Sequence, residues 1–307
     1  GNFKRIGNSL YGSIAFPAFR LYDVRIPAAI TYLGRCLIGY TTEIIRREGY
    51  ESIYSDTDAC VVIFPEQLTV DEVIEASNKL QQTLNNSFSS FVKRYYPSAT
   101  KHHLSIDYEK IFTSLLLFDK KKKYIGLLGY LKGQKTDKLA FKGVELVKRD
   151  VPSAYKPLLE KLTRGLLRKA SITELQNIIK EEKEKIKSMN IWDIGFNKNI
   201  SRNFKDYVVL TQHIRAAKFS NDYLKTSFKK GDNSKLVYVK HPLTDIIALE
   251  TPAQKVPSEY KIDYDRLFDM FVYQKLSLMK CINKDLEFIG QKNTNLSHFI
   301  KDYEVIA

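Results

Sequence analysis

One stretch limits the fold of this 307-residue chain more than any other: residues 50–64. Tyr50–Tyr54 and Ala59–Phe64, the latter with a β-branched core, are short runs separated only by Ser55-Asp56-Thr57-Asp58. Two such runs joined by so short a polar linker read as strand, tight turn, strand, an antiparallel hairpin. Helical patterns flank it. Residues 27–49 place Ile30, Leu33, Leu37, Ile38, Ile44 and Ile45 close to helical period and stop at Gly49. Thr69, with acids at 71 and 72, caps a helix over about 70–95. Its apolar stripe is Val70, Val73, Ile74, Leu80, Leu84, Phe88 and Phe91. Residues 3–16 read as a short helix running into Pro17.

Further along, 103–118 and 123–131 read as strands and 139–147 as a short one. Pro152 and Pro157 then mark a change of register, and the chain turns helical. Ser171 and Glu174 have the spacing of a capping box for a helix over 172–189. A division near residue 150 follows, with an α+β first part and a mostly helical second. Apolar residues make up 44% and aromatics 12%, enough for a real core, which excludes a disordered tail or a collagen-like rod. No segment approaches 18 uninterrupted apolar residues, so no membrane span is expected. The chain opens on Gly rather than Met, with no signal peptide, and reads as a piece of a larger polypeptide.

Lys and Arg number 49 against 35 Asp and Glu, a net charge of +14 spread over both halves and concentrated at 118–150. That balance suits a polyanionic partner, nucleic acid or an acidic surface, better than a neutral metabolite. Cys36, Cys60 and Cys281 lie far apart, forming neither a disulfide framework nor a CxxC pair, which points to an intracellular, reducing compartment.

The acidic turn carries the most chemistry. Asp56 and Asp58, two residues apart between apolar strands, repel one another and either raise a pKa or hold a cation. Oxygen ligands on a rigid turn suit Mg²⁺, and a pair of such ions can clamp the two oxygens of a nucleotidyl transfer. The same residues also make an ordinary polar turn. Lys4, Asn8, Tyr11 and Gly12 share one helix face, able to hold a triphosphate and press Tyr11 against a base, or else to be a solvated helix end with Tyr11 in the core. Asp107 and Glu109 share one face of a strand by period two. The lysines at 120–123 contact phosphate or blunt an exposed strand edge.

These residues resemble family B DNA polymerases. Lys4-x-x-x-Asn8-Ser9-x-Tyr11-Gly12 is similar to the fingers motif K-x₃-N-S-x-Y-G, and Tyr54-Ser55-Asp56-Thr57-Asp58 to the palm motif Y-x-D-T-D. Pro27-Ala28-Ala29-Ile30-Thr31 resembles the intervening helix. Lys121-Lys122-Lys123-Tyr124 resembles the primer-contacting K-K-[KR]-Y, and Lys142-Gly143-Val144-Glu145…Lys148-Arg149-Asp150 the K-G-x-E-x-x-R-R-D stretch leading to the thumb. The five occur in the family's order over about 1–150, and 151–307 resembles the thumb more loosely.

The resemblance implies an α+β fold: an antiparallel palm sheet packed by helices, then a mostly α-helical thumb. The end of the fingers, a helix over about 1–16, and the palm would fill 1–150, and the thumb 151–307. It implies a DNA-directed DNA polymerase, transferring nucleotides from dNTP to a primer 3′-hydroxyl on primer–template DNA with two Mg²⁺ ions. Asp58 would ligate both ions with Asp56 beside it, and Glu109 would lie near them. Lys4 and Asn8 would contact the triphosphate, Tyr11 the nascent base pair, and Gly12 would give clearance. Lys121, Lys122, Lys123, Tyr124, Lys142, Gly143 and Arg149 would face primer DNA. The family's other palm carboxylate motif, D-x-x-S-L-Y-P-S, is missing, as are the exonuclease and first fingers helix. An N-terminal polymerase part is therefore an expected partner. The alternative is a non-catalytic DNA-binding remnant or accessory module derived from a polymerase.

Overall fold

A computed structural model describes residues 2–118, 122–144, 151–277 and 279, the first three (2–4) by backbone alone. The chain divides into two compact units that interleave along it. One comprises residues up to Thr113 with Leu128–Lys138, the other Ser114–Leu127 with everything from Leu139 on. The mixture of helices and antiparallel sheets matches the α+β expectation.

The first unit opens with two helices, α1 (Asn2–Ile14) and α2 (Arg25–Arg47). The expected hairpin follows as β1 (Glu51–Asp56) and β2 (Ala59–Ile63), and then α3 (Val70–Tyr95). The capping box at Thr69 is formed: its hydroxyl accepts from the Glu72 N–H, and the Glu72 carboxylate accepts from the Thr69 N–H at 2.7 Å. Val73, Leu80, Leu84, Phe88 and Phe91 of the expected stripe are buried. Ile45, Leu80, Leu84 and Phe88 centre a core to which the hairpin adds Tyr50, Cys60, Val62 and Phe64. Only the C-terminal half of α2 reaches this core. The apolar stripe of that helix runs out into solvent, leaving Ile26, Ile30 and Tyr32 exposed.

The stretch 103–109, expected as strand, makes no ladder; β3 begins only at Lys110 (Lys110–Leu117). It is nevertheless alternately half-buried and exposed. The reason is a polar stripe on α3 at i, i+4 and i+8. Asn85 donates its amide to the Ile106 carbonyl (3.0 Å) and accepts from the Ile106 N–H (2.8 Å). Gln81 accepts from the Tyr108 N–H (3.1 Å), and Ser89 lies 3.0 Å from His102 Nε2. Side-chain amides thus stand in for a neighbouring strand.

Strand β4 (Tyr124–Leu131) lies between β3 and β5 (Gln134–Lys142), so the short strand expected at 139–147 starts earlier. Gly129 lets the start of α3 approach this sheet: a Cβ there would lie 2.8 Å from Thr113 Cγ2 and 3.2 Å from Val70 Cγ2.

The second unit is mostly helical, as expected, with α4 (Lys156–Leu167), α5 (Ile172–Lys187), α6 (Ile191–Ile194) and α7 (Gln212–Tyr223). The Ser171–Glu174 capping box is formed. The sequence reading missed an antiparallel sheet at its centre. It comprises β6 (Phe196–Asn199), β7 (Asn233–His241), β8 (Thr244–Leu249) and β9 (Lys261–Ile262). Helix α8 (Tyr264–Phe268), a π turn at Asp269–Tyr273 and α9 (Gln274–Ser277) end the described chain. Val237, Tyr238, Ile246 and Ile247 are fully buried, in one core with Leu158, Leu162, Leu175 and Phe268. Among the described residues no helix is long and apolar enough to cross a membrane. Cys36 and Cys60 are free thiols.

Candidate active site

The hairpin turn is built by strand register. Asp56 pairs with Ala59, which leaves Thr57 and Asp58 as a two-residue loop. The Asp58 N–H donates to the Asp56 carbonyl at 2.7 Å, closing the turn. Closure this tight forces Thr57 to φ +59°, a region a β-branched residue seldom enters. Its hydroxyl donates to Asp56 Oδ1 at 3.1 Å, tying that carboxylate to the loop. Tyr54 and Asp56 fall on one half-buried face by period two, whereas Asp58 is exposed at the tip. A register shift between Ser52 and Tyr54 bends the incoming strand.

Asp56 and Asp58 present hard oxygen donors on one rigid turn, the right chemistry for Mg²⁺. Among the described residues no group of three or more His, Cys, Asp or Glu is gathered anywhere, so Glu109 is not brought to them as a third ligand. Glu109 sits just before β3, its carbonyl accepting from the Lys132 N–H at 2.8 Å. Asp107 and Glu109 do share an exposed face, as their spacing implied, and Asp107 Oδ1 accepts from Gln81 at 3.2 Å. The two carboxylates on the turn fit the ion as part of a ligand set.

The helix face expected at Lys4, Asn8, Tyr11 and Gly12 lies within α1. The Lys4 side chain lies outside the described residues. Tyr11 is 40% exposed, which removes the alternative of a core tyrosine. A Cβ at Gly12 would meet nothing within 4 Å, so no neighbour in the chain requires glycine there.

In the second unit the two basic motifs come together. Lys122 is in a turn rather than on a strand, with φ +63°, and β4 starts at Tyr124. Its direction is therefore set by the turn and not by strand alternation. The Phe118 N–H donates to the Lys123 carbonyl at 3.1 Å across this turn. Gly143, at φ +66°, packs on it so closely that a Cβ would lie 2.6 Å from the Lys122 carbonyl oxygen and 3.0 Å from Lys123 Cγ. Lys142 Nζ lies 5.8 Å from the Tyr124 ring centroid. Residues 122–124 and 142–143 thus form one basic corner, with Lys122 and Lys142 exposed. Lys121 and Arg149 lie outside the described residues.

Strongly perturbed ionisable groups sit elsewhere. Burial pushes the Tyr155 phenol well up, and burial with a Tyr130 hydrogen bond raises Tyr108. Sequence reasoning missed the Asn85 and Gln81 clamps that fix residues 106–108 beside Glu109. The spacing of four between Gln81, Asn85 and Ser89 was the available signal.

Comparison with known proteins adds the following. The sequence model described as DNA polymerase family B matches residues 2–282. The DNA polymerase alpha catalytic subunit of Mus musculus is 32% identical over 149 residues, 48% of this chain and 9% of its own length. The DNA polymerase delta catalytic subunit of Plasmodium falciparum is 26% identical over 97% of the chain and 28% of its own length. DNA polymerase II of Escherichia coli is 26% identical over 71% of the chain and 28% of its own length. The chain thus spans less than a third of each of these relatives.

Proposed function

The chain belongs to DNA polymerase family B, and on that premise we propose that it supplies the end of the fingers, the palm hairpin and the thumb of a DNA-directed DNA polymerase. The observation that carries this is the turn at residues 56–58, where Asp56 ends the strand and Asp58 lies on the strained two-residue loop that follows, within the matched region.

Asp58, with Asp56 beside it, would hold Mg²⁺, which when bound acidifies the primer 3′-hydroxyl and neutralises charge at the reacting phosphate. The chain's other residues bind and orient. Lys4 and Asn8 contact the triphosphate of the dNTP, Tyr11 packs against the nascent base pair, and Gly12 leaves room for it. Lys121, Lys122, Lys123 and Tyr124, backed by Lys142, Gly143 and Arg149, hold the primer strand through its phosphates. Glu109 is left without a ligand role, since it is not gathered with Asp56 and Asp58 among the described residues. The remaining carboxylate comes from an N-terminal polymerase part.

A second reading, a DNA-binding remnant without activity, is favoured by one observation: no third acidic ligand joins Asp56 and Asp58 among the described residues. One experiment separates the two. The chain is combined with an N-terminal polymerase part carrying the D-x-x-S-L-Y-P-S motif, and primer extension is measured with Mg²⁺ and four dNTPs. Asp58→Asn is expected to abolish extension while primer–template binding stays within a few fold. An Asp58→Asn variant that keeps a tenth of the wild-type kcat overturns the assignment, and an inactive wild-type assembly that still binds DNA supports the remnant.

A further inference from the structure

Lysine is almost never buried without an acidic partner, yet the second unit buries one on the middle strand of its sheet. Strand β7 lies between β6 and β8, and its Lys235 pairs with Asn197 on one side and Leu249 on the other. Lys235 is 9% exposed, and its chain neighbours Ser234 and Leu236 are buried. Close packing holds its stem. A Cβ at Gly195 would lie 3.0 Å from Lys235 Cγ and 3.0 Å from Val237 Cγ2, so glycine lets the junction of α6 and β6 rest on that stem. The ammonium ends 5.2 Å from the centroid of the Trp192 ring.

The charged groups around it do not close on it. Asp193, exposed on α6, and Lys156, half-buried at the start of α4, are the ionisable neighbours that act on Lys235. Among the described residues neither lysine makes an ion pair, and the Asp193 carboxylate takes part in none. Ser153 Oγ donates to the Asp193 carbonyl at 3.4 Å, which ties α6 to the turn before α4. Burial lowers the pKa of the Lys235 amine, Asp193 opposes this by a smaller effect, and the second cation, Lys156, lowers it further. A desolvated lysine beside another cation presents more of the neutral, nucleophilic amine at neutral pH than a solvated one does.

We propose that Lys235 is a covalent modification site, an activated amine acylated by small anionic donors of the acyl phosphate class. The neutral Nζ attacks the acyl carbon. An N–C bond forms, the C–O bond to phosphate breaks, phosphate leaves with the bonding electrons, and the amine releases a proton to solvent. Lys156 favours such a donor over a neutral one, because its charge attracts the phosphate and stabilises it as it leaves. The product is a neutral amide, so a cation without a carboxylate partner is no longer buried. The site shares no residue with those assigned to nucleotide or primer, and it does not depend on the polymerase reading.

The test treats the 307-residue chain with acetyl phosphate at neutral pH and follows acetylation of each lysine by peptide mass spectrometry. Lys235 should be labelled several-fold faster than Lys255 and Lys261, which are exposed. Lys156→Ala should slow labelling of Lys235 and Asp193→Asn should speed it, while Lys255 and Lys261 keep their rates in both variants. Labelling of Lys235 no faster than at those two positions overturns the proposal. So does a Lys235 rate that neither variant changes, which would assign fast labelling to access alone, or one that either variant moves in the opposite direction. Primer extension by the assembly reads the polymerase assignment separately, so failure of either leaves the other standing.

Discussion

Two glycines of the candidate site behave oppositely, and the difference separates architecture from chemistry. Gly143 is held at positive φ with the Lys122 carbonyl where a Cβ would go. Gly143→Ala should therefore cost ~1–3 kcal/mol, mainly from the forced backbone, and loosen the turn that carries Lys122 and Lys123. A lower Tm together with weaker duplex binding is the expected result. Gly12 is helical with open space where its Cβ would be. Gly12→Ala should stabilise α1 by ~1 kcal/mol through helix propensity, yet slow nucleotide addition in the assembly if that space belongs to the nascent base pair. Thermal melts and single-nucleotide incorporation rates measured on the same variant check both halves. A stabilised Gly12→Ala chain with undiminished incorporation would show that the space has no occupant. The order of motifs along the chain displayed every one of these residues, but not why each glycine is there. Positive φ at Thr57 and Lys122 was equally hidden, because neither residue type announces a left-handed turn.

At the scale of elements, the hairpin, α3 and α5 were legible because their signals are local: a short acidic linker, capping boxes, and stripes at helical period. The sheet of β6 to β9 was not: β6 reaches β7 only across the helix and loop of residues 200–232, and β9 is a two-residue strand, although β7 and β8 are joined by a tight hairpin. The stretch 103–109 read as strand for a sound reason, its period-two alternation, but the alternation is satisfied by helix side chains. That substitution makes a sharp prediction. Asn85→Leu strands the N–H and carbonyl of Ile106 and should destabilise the first unit by ~1–3 kcal/mol. Asn85→Asp keeps the acceptor and loses the donor, so it should cost less at neutral pH, as chemical denaturation of the two variants would show. In the second unit, the Glu182 carboxylate accepts from Lys161 (2.7 Å) and Lys185 (2.8 Å). The Lys161 hydrogen bond first, and then that of Lys185, lower its pKa from the ordinary glutamate value of 4.5. Its contribution is complete above that value and is lost as pH falls through the lower folded one. The Tm gap between wild type and Glu182→Gln should therefore close as the protein is acidified below pH ~4. A gap that persists in acid would assign the effect to packing.

For the whole molecule, a net charge of +14 and the basic corner at 122–143 predict that the chain alone binds primer–template DNA with steep salt dependence. Two carboxylates on one turn predict that alone it does not extend a primer. Robust extension by residues 1–307, lost in Asp58→Asn, would show the ligand set to be complete within this chain. The linear sequence suggests a division near residue 150, where Pro152 breaks the register; the compact units instead exchange segments at 113/114, 127/128 and 138/139. That interleaving has a consequence during synthesis. When residue 138 has left the ribosome, every residue of the first unit exists, but so does the segment 114–127, whose Ile125 and Leu127 belong to a core with Leu158 and Leu162 that has not yet been translated. Until those helices emerge, the nascent chain carries a bare apolar strand in the middle of an otherwise finished unit, a natural substrate for chaperones that capture extended apolar segments.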